Sequence, residues 1–143
     1  MTPGSQRAVL LVEDNAGDAE LMRIALAEAR PDVALRVAAD GEEALALLRD
    51  GAAPDLVLLD LNLPRLSGHE VLAAMRADEA PHVRRLPVVV LTTSAAPADV
   101  ERSYELAAAG HIVKPHELDR LFEVAETIAR YWLETVTLPD RTS

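Results

Sequence analysis

Three apolar runs without polar interruption stand out along the chain, Ala8 to Val12, Leu56 to Leu59 and Val88 to Leu91, with a shorter fourth at Ile112-Val113. Runs without alternation read as strands buried on both faces, as in a parallel sheet covered by helices. Each ends abruptly at a polar side chain: Glu13, Asp60, Thr92 and Lys114. Between the runs, apolar residues recur at helical spacing. Leu21, Ile24, Ala25 and Leu26 predict a helix reaching Arg30, stopped by Pro31 and capped at its start by Asp18. Val33 to Ala38 alternates around Arg36 and predicts another strand. Asp40-Gly41 turns the chain into a short helix over 42–49, with Leu45 and Leu48 inward. Gly68 leads a helix containing Val71, Leu72 and Met75, and residues 78–86 read as a polar, exposed connection. Pro97 begins an Ala-rich helix running to about Ala109, where Gly110 breaks it. After Lys114-Pro115, Leu118, Leu121, Phe122, Ala125, Ile128 and Trp132 form the stripe of a long final helix.

Five strands alternating with five helices imply an α/β fold: a parallel five-stranded sheet with helices on both faces and right-handed crossovers. The flavodoxin-like strand order is a common solution for five strands. A chain of 143 residues supplies one domain. Residues 1–7 lack periodicity and read as a disordered start, 8–135 as the domain, and 136–143 as a C-terminal extension. No stretch has the pattern of an export signal or the length of a membrane span, so the expected setting is cytoplasmic.

Open parallel sheets bind ligands at the carboxyl ends of their strands. That topology brings Glu13, Asp14, Asp60, Thr92 and Lys114 to one rim. Clustered carboxylates repel one another unless a cation joins them, and an oxygen-rich acidic pocket suits a hard divalent ion such as Mg²⁺. A hydroxyl and an ammonium on the far side match the oxygens of a phosphoryl group. The constellation therefore reads as a site where Mg²⁺, Thr92 and Lys114 stabilise a phosphoryl group passing onto the Asp60 carboxylate.

Composition narrows the alternatives. Cysteine is absent, which excludes a disulfide framework, thiol catalysis and thiolate zinc sites. His69, His82, His111 and His116 do not fall at the spacing of a catalytic zinc helix. The net charge of −10 argues against a nucleic-acid surface. Arg occurs thirteen times and Lys only once, at Lys114, a distinction that matters because a compact ammonium and a flat guanidinium are not interchangeable.

Four segments carry a resemblance to a known family. Val12-Glu13-Asp14-Asn15, Leu58-Leu59-Asp60-Leu61-Asn62-Leu63-Pro64 with Gly68 eight positions beyond Asp60, Leu91-Thr92-Thr93 and Val113-Lys114-Pro115, in this order, resemble the receiver domain of two-component response regulators over about residues 7–135. The resemblance implies that Asp60 is the phosphoacceptor, that Glu13, Asp14 and Asp60 bind Mg²⁺ with a backbone carbonyl from Asn62, that Thr92 hydrogen-bonds the phosphoryl group, and that Lys114 pairs with it. It also implies a cis Lys114-Pro115 bond. His111 stands three before the lysine, where many receivers carry a switching aromatic, and is expected as a partly exposed surface imidazole. Leu91 to Ser94, Arg102 to Leu106 and Trp132 to Pro139 further resemble the small stand-alone regulators that accompany cyanobacterial and bacterial phytochromes.

The expected function is thus a single-domain phosphoacceptor served by a sensor histidine kinase, with a bacteriophytochrome as the expected kinase, and not a conventional enzyme. A phosphohydrolase would need an acid two residues after Asp60, where Asn62 cannot donate a proton. A flavin or nucleotide module would need a Gly-rich loop after the first strand and stacking aromatics. A degenerate receiver acting only as a protein-binding module is the remaining alternative. Asp18, Asp40, Glu42 and Glu43 read as solvated faces and caps, and His69, His82 and His116 as surface residues. Val124, Ile128, Tyr131 and Thr135 on the final helix, followed by Trp132, Leu133, Val136 and Leu138, suggest a homodimer through the last strand, last helix and C-terminal segment.

Overall fold

A computed structural model describes residues 6–51 and 53–139. The elements are β1 (Ala8–Val12), α1 (Ala16–Ala29), β2 (Ala34–Ala38), α2 (Gly41–Arg49), β3 (Leu56–Leu59), α3 (Gly68–Arg76), α4 (Pro81–Arg84), β4 (Val88–Thr92), α5 (Pro97–Glu105), β5 (Gly110–Val113) and α6 (Leu118–Arg130), with a π-helical turn at Tyr131–Thr135. The five strands are all parallel in the order β2-β1-β3-β4-β5, the flavodoxin-like arrangement.

Strand periodicity divides the core in two. Leu10, Val12, Val57, Leu59, Val88 and Val90 face α2 and α3, meeting Leu45, Leu48, Leu72 and Met75. Val9, Leu11, Leu56, Leu58, Val89 and Leu91 face α1 and α6, meeting Met22, Leu26, Leu121 and Ile128. Because β1, β3 and β4 are covered on both sides, their sequences are apolar at every position up to Thr92, the last residue of β4.

Several local expectations are corrected. Asn15, not Asp18, caps α1: its Oδ1 accepts the Asp18 amide at 2.9 Å, because the helix begins directly at the end of the β1 loop. The 78–86 connection is not wholly exposed, since it contains α4 and buries Val83 and Leu86 against the sheet. Helix α5 stops at Glu105, four residues early. Ala107 adopts φ 63°, the Ala108 amide reaches Ser103 O at 2.9 Å and the Ala107 amide Tyr104 O at 3.0 Å, a Schellman closure with alanine where glycine is usual. The π turn after α6 adds a residue to its final turn, so Leu133 becomes fully buried while Trp132 is only half-buried and stands edge-on to Tyr131 at 5.1 Å. Leu118, expected in the buried stripe, is 53% exposed, whereas Ile128, read both in that stripe and on a second outer face, is in the core as the stripe predicts.

Every peptide bond among the described residues is trans, Lys114-Pro115 included. The trans form is the favoured state of an X-Pro bond by about 0.5–1 kcal/mol. Of the start expected to be disordered, residues 1–5 lie outside the described residues. Gln6 Nε2 donates to Asp32 O at 2.7 Å, and Arg7 O accepts the Ala34 amide at 2.9 Å. Residues 140–143 of the expected extension also lie outside the described residues.

Candidate phosphoacceptor site

Glu13, Asp60 and Lys114 each stand one position past a strand and are still bonded to the neighbouring strand. The Glu13 amide donates to Ala38 O at 3.0 Å, the Asp60 amide to Val12 O at 3.1 Å, and the Lys114 amide to Thr92 O at 2.6 Å. The ladder thereby delivers two buried acids and the one ammonium to the same rim. Glu13, Asp14 and Asp60 each present a carboxylate oxygen within 4.8 Å of the others. Glu13 and Asp60 are buried, at 5% and 7% exposure, while Asp14 faces solvent. Three oxygen donors with one side open suit a hard divalent cation that retains waters.

Lys114 Nζ lies 2.6 Å from Glu13 Oε1, 3.5 Å from Asp18 Oδ2 and 3.7 Å from Asp60 Oδ2. Burial is the largest influence on this ammonium and opposes its charge. The hydrogen bond that Lys114 donates to Glu13 and the charges of Glu13, Asp60 and Asp18 together outweigh it and hold the group above its ordinary value. Burial is also the largest influence on Glu13, and pushes its carboxyl up; the Lys114 and Asn15 hydrogen bonds oppose that shift, and the Asp60 charge adds to it. Asp60 Oδ1 accepts the Asn62 amide at 3.2 Å, which orients the carboxylate. Asn62 itself is exposed. Thr92 is fully buried, its Oγ1 3.5 Å from the Ser94 amide.

Gly68 lies directly behind Asp60. A Cβ there would stand 2.3 Å from Asp60 O and 2.7 Å from Leu61 Cα, and the Gly68 amide donates to Leu61 O at 2.9 Å. Only glycine lets α3 begin this close to the acidic residue.

Sequence reasoning missed part of the surroundings. Asp18, exposed as expected but not the cap of α1, also approaches Lys114; its position four residues after Asp14 was the available signal. His69 and His111 are not free surface imidazoles. Both meet the buried Ser103 hydroxyl, His69 through Nε2 at 3.1 Å and His111 through Nδ1 at 2.9 Å. His111 Nε2 donates to Ser94 O at 3.0 Å, joining β5 to the loop after β4. Nothing local in the sequence signals this chain, because its members come from three separate elements. His82 is half-buried, with Nε2 unpartnered among the described residues, and His116 is exposed as expected.

Comparison with known proteins agrees with this geometry. The family model for the response regulator receiver domain matches residues 9–126. The chain belongs to the response regulator receiver family. This receiver is 42% identical over 139 residues to response regulator Rcp1 of Synechocystis sp., covering 93% of each chain. The crystal structure of the phosphorylated cyanobacterial phytochrome response regulator RcpA superposes with a TM-score of 0.88 at 42% identity, covering 95% of this receiver and 100% of that chain. The bacteriophytochrome response regulator AtBRR superposes at 0.70 with 38% identity, over 95% of this receiver and 99% of that chain. Rcp1 has also been crystallised in an Mn²⁺-bound form, which superposes at 0.85 with 41% identity over 94% of this receiver and 99% of that chain. No helix among the described residues is long and apolar enough to cross a membrane.

Proposed function

We propose that this receiver accepts a phosphoryl group on Asp60 from a phosphohistidine of a sensor histidine kinase, and that the kinase is a bacteriophytochrome. The observation that carries the reading is the convergence of the buried Asp60 carboxylate with two further carboxylates within 4.8 Å and the Lys114 ammonium at 3.7 Å. An Asp60 carboxylate oxygen attacks phosphorus, the P–N bond of the donor breaks, and the departing imidazole nitrogen keeps the electron pair. The Asn62 amide holds the attacking carboxylate in place. Lys114 exchanges its carboxylate partners for a phosphoryl oxygen, and the Thr92 hydroxyl donates to another. Glu13, Asp14 and Asp60, with the Asn62 carbonyl, would hold Mg²⁺, which supplies positive charge against the phosphoryl oxygens. The Mn²⁺-bound Rcp1 and phosphorylated RcpA structures support this reading by likeness.

The signal leaves as a shift between two conformations, led by the loops after β3 and β4. Helix α5 is suited to move with them, since Ser103 is its only buried residue. We further infer a homodimer through β5, α6 and the C-terminal segment, where Val113, Leu118 and Tyr131 stand 45–53% exposed. Sedimentation should show a mass rising with concentration; a monomer throughout would overturn the dimer.

Transfer is tested with a bacteriophytochrome kinase carrying labelled phosphohistidine. Label should pass to this receiver and not to Asp60→Asn. Binding of the kinase without transfer would instead support a degenerate module that only docks.

A further inference from the structure

The loop between β3 and α3, residues 61–67, is wound more tightly than its length requires. The Leu63 amide donates to Leu61 O at 3.1 Å and the Leu66 amide to Pro64 O at 2.7 Å, so the chain makes two successive three-residue turns. The second is centred on Arg65, at φ 64°. That left-handed backbone is unfavourable for a residue with a Cβ, and such outliers persist only where the surroundings hold them.

The Arg65 side chain shows what holds it. Nη2 donates to Asp40 Oδ2 at 2.8 Å and Nε to Glu42 Oε1 at 3.0 Å. Asp40 is a fixed anchor, because its other oxygen caps α2 by accepting the Glu43 amide at 2.8 Å. The junction of β2 and α2 also presses on the loop from beneath: a Cβ at Gly41 would stand 3.1 Å from Leu66 Cβ. The loop is therefore gripped at Arg65 and Leu66 and closed at Gly68. Its remaining free part is Asn62 and its neighbours, the segment that touches Asp60 through the Asn62 amide.

We propose that Arg65 is a positioning residue for the phosphoacceptor site. Its clasp on Asp40 and Glu42 holds the strained loop so that the Asn62 backbone stays registered on the Asp60 carboxylate. The clasp thereby sets the divalent-cation affinity of the Glu13, Asp14 and Asp60 cluster and the rate of phosphoryl acceptance. This rests on the function proposed above. Groups that orient a metal's ligands from outside commonly govern its affinity. Guanidinium suits the role because its planar fork reaches two carboxylates at once, which an ammonium does not.

Three variants of the full chain separate the clasp from backbone strain. Arg65→Ala removes the clasp and keeps the strain; Arg65→Gly removes both; Glu42→Gln weakens one arm. Calorimetric titration with Mg²⁺ should show Arg65→Ala binding about tenfold more weakly than the wild type. Glu42→Gln should fall between them. Amide exchange over 61–68 should quicken most in Arg65→Gly, while the melting temperatures stay close together. If the wild type binds Mg²⁺ and Arg65→Ala binds it equally well, with unchanged exchange, the positioning role is overturned and the site reading stands. If the wild type itself binds no Mg²⁺, the site reading fails and takes this inference with it.

Discussion

Lys114 illustrates how much one side chain decides at this site. Its compact ammonium reaches Glu13, Asp18 and Asp60 together, a geometry that a broad guanidinium would not reproduce in the same space. Gly68 decides by absence. Gly68→Ala forces a methyl group into Asp60 O, so the backbone must move at Asp60 itself. The expected loss is about 3 kcal/mol of stability by urea denaturation, together with impaired phosphoryl acceptance. His69 provides a pH-dependent test. Burial, chiefly, holds its imidazole below the ordinary value of 6.5, with Arg102 and His111 adding to the effect and Asp99 opposing it. The unfolded chain then binds the proton more readily, so this contribution is fully present above 6.5 and lost as pH falls through 6.5 toward the folded value. Between about pH 7.5 and about pH 5.5, His69→Gln should lose less stability than the wild type. Equal losses would show that burial of His69 carries no such linkage.

At the scale of elements, legibility tracked how local each cause was. The strands were readable because double burial leaves no polar position in Leu56 to Leu59 or Val88 to Leu91. The site residues were readable because each stands at the carboxyl end of an apolar run. Helix ends were harder. The end of α5 depends on Ala107 accepting φ 63° so that Ala109 can return its amide to Val88 O at 2.8 Å, which composition does not disclose. Replacing that alanine relieves the strain: Ala107→Gly should stabilise the protein by about 0.5–1 kcal/mol, read as a raised urea midpoint. A lower midpoint would mean that the left-handed closure is not the strained feature. The π turn was equally hidden, since it follows from the fit of Leu133 into the α1/α6 layer and from Arg30, whose Nη1 donates to Leu133 O at 2.8 Å. The His69–Ser103 link and the Arg65 clasp were invisible because each joins residues more than twenty positions apart.

Across the whole molecule, one sheet order does the organising. Placing β1 between β2 and β3 puts the acidic pair after β1 beside Asp60, and adding β4 and β5 outward brings Thr92 and Lys114 to the same rim. The charge of −10 sharpens the need for that single lysine, because the rim would otherwise gather acids without relief. The most direct test of the central claim is the intact mass of the protein after incubation with a small acyl phosphate, with and without Mg²⁺, alongside Asp60→Asn. One added phosphoryl group that requires both Mg²⁺ and Asp60 is expected. A phosphoryl group retained in Asp60→Asn, or one acquired equally well without a divalent cation, would contradict it.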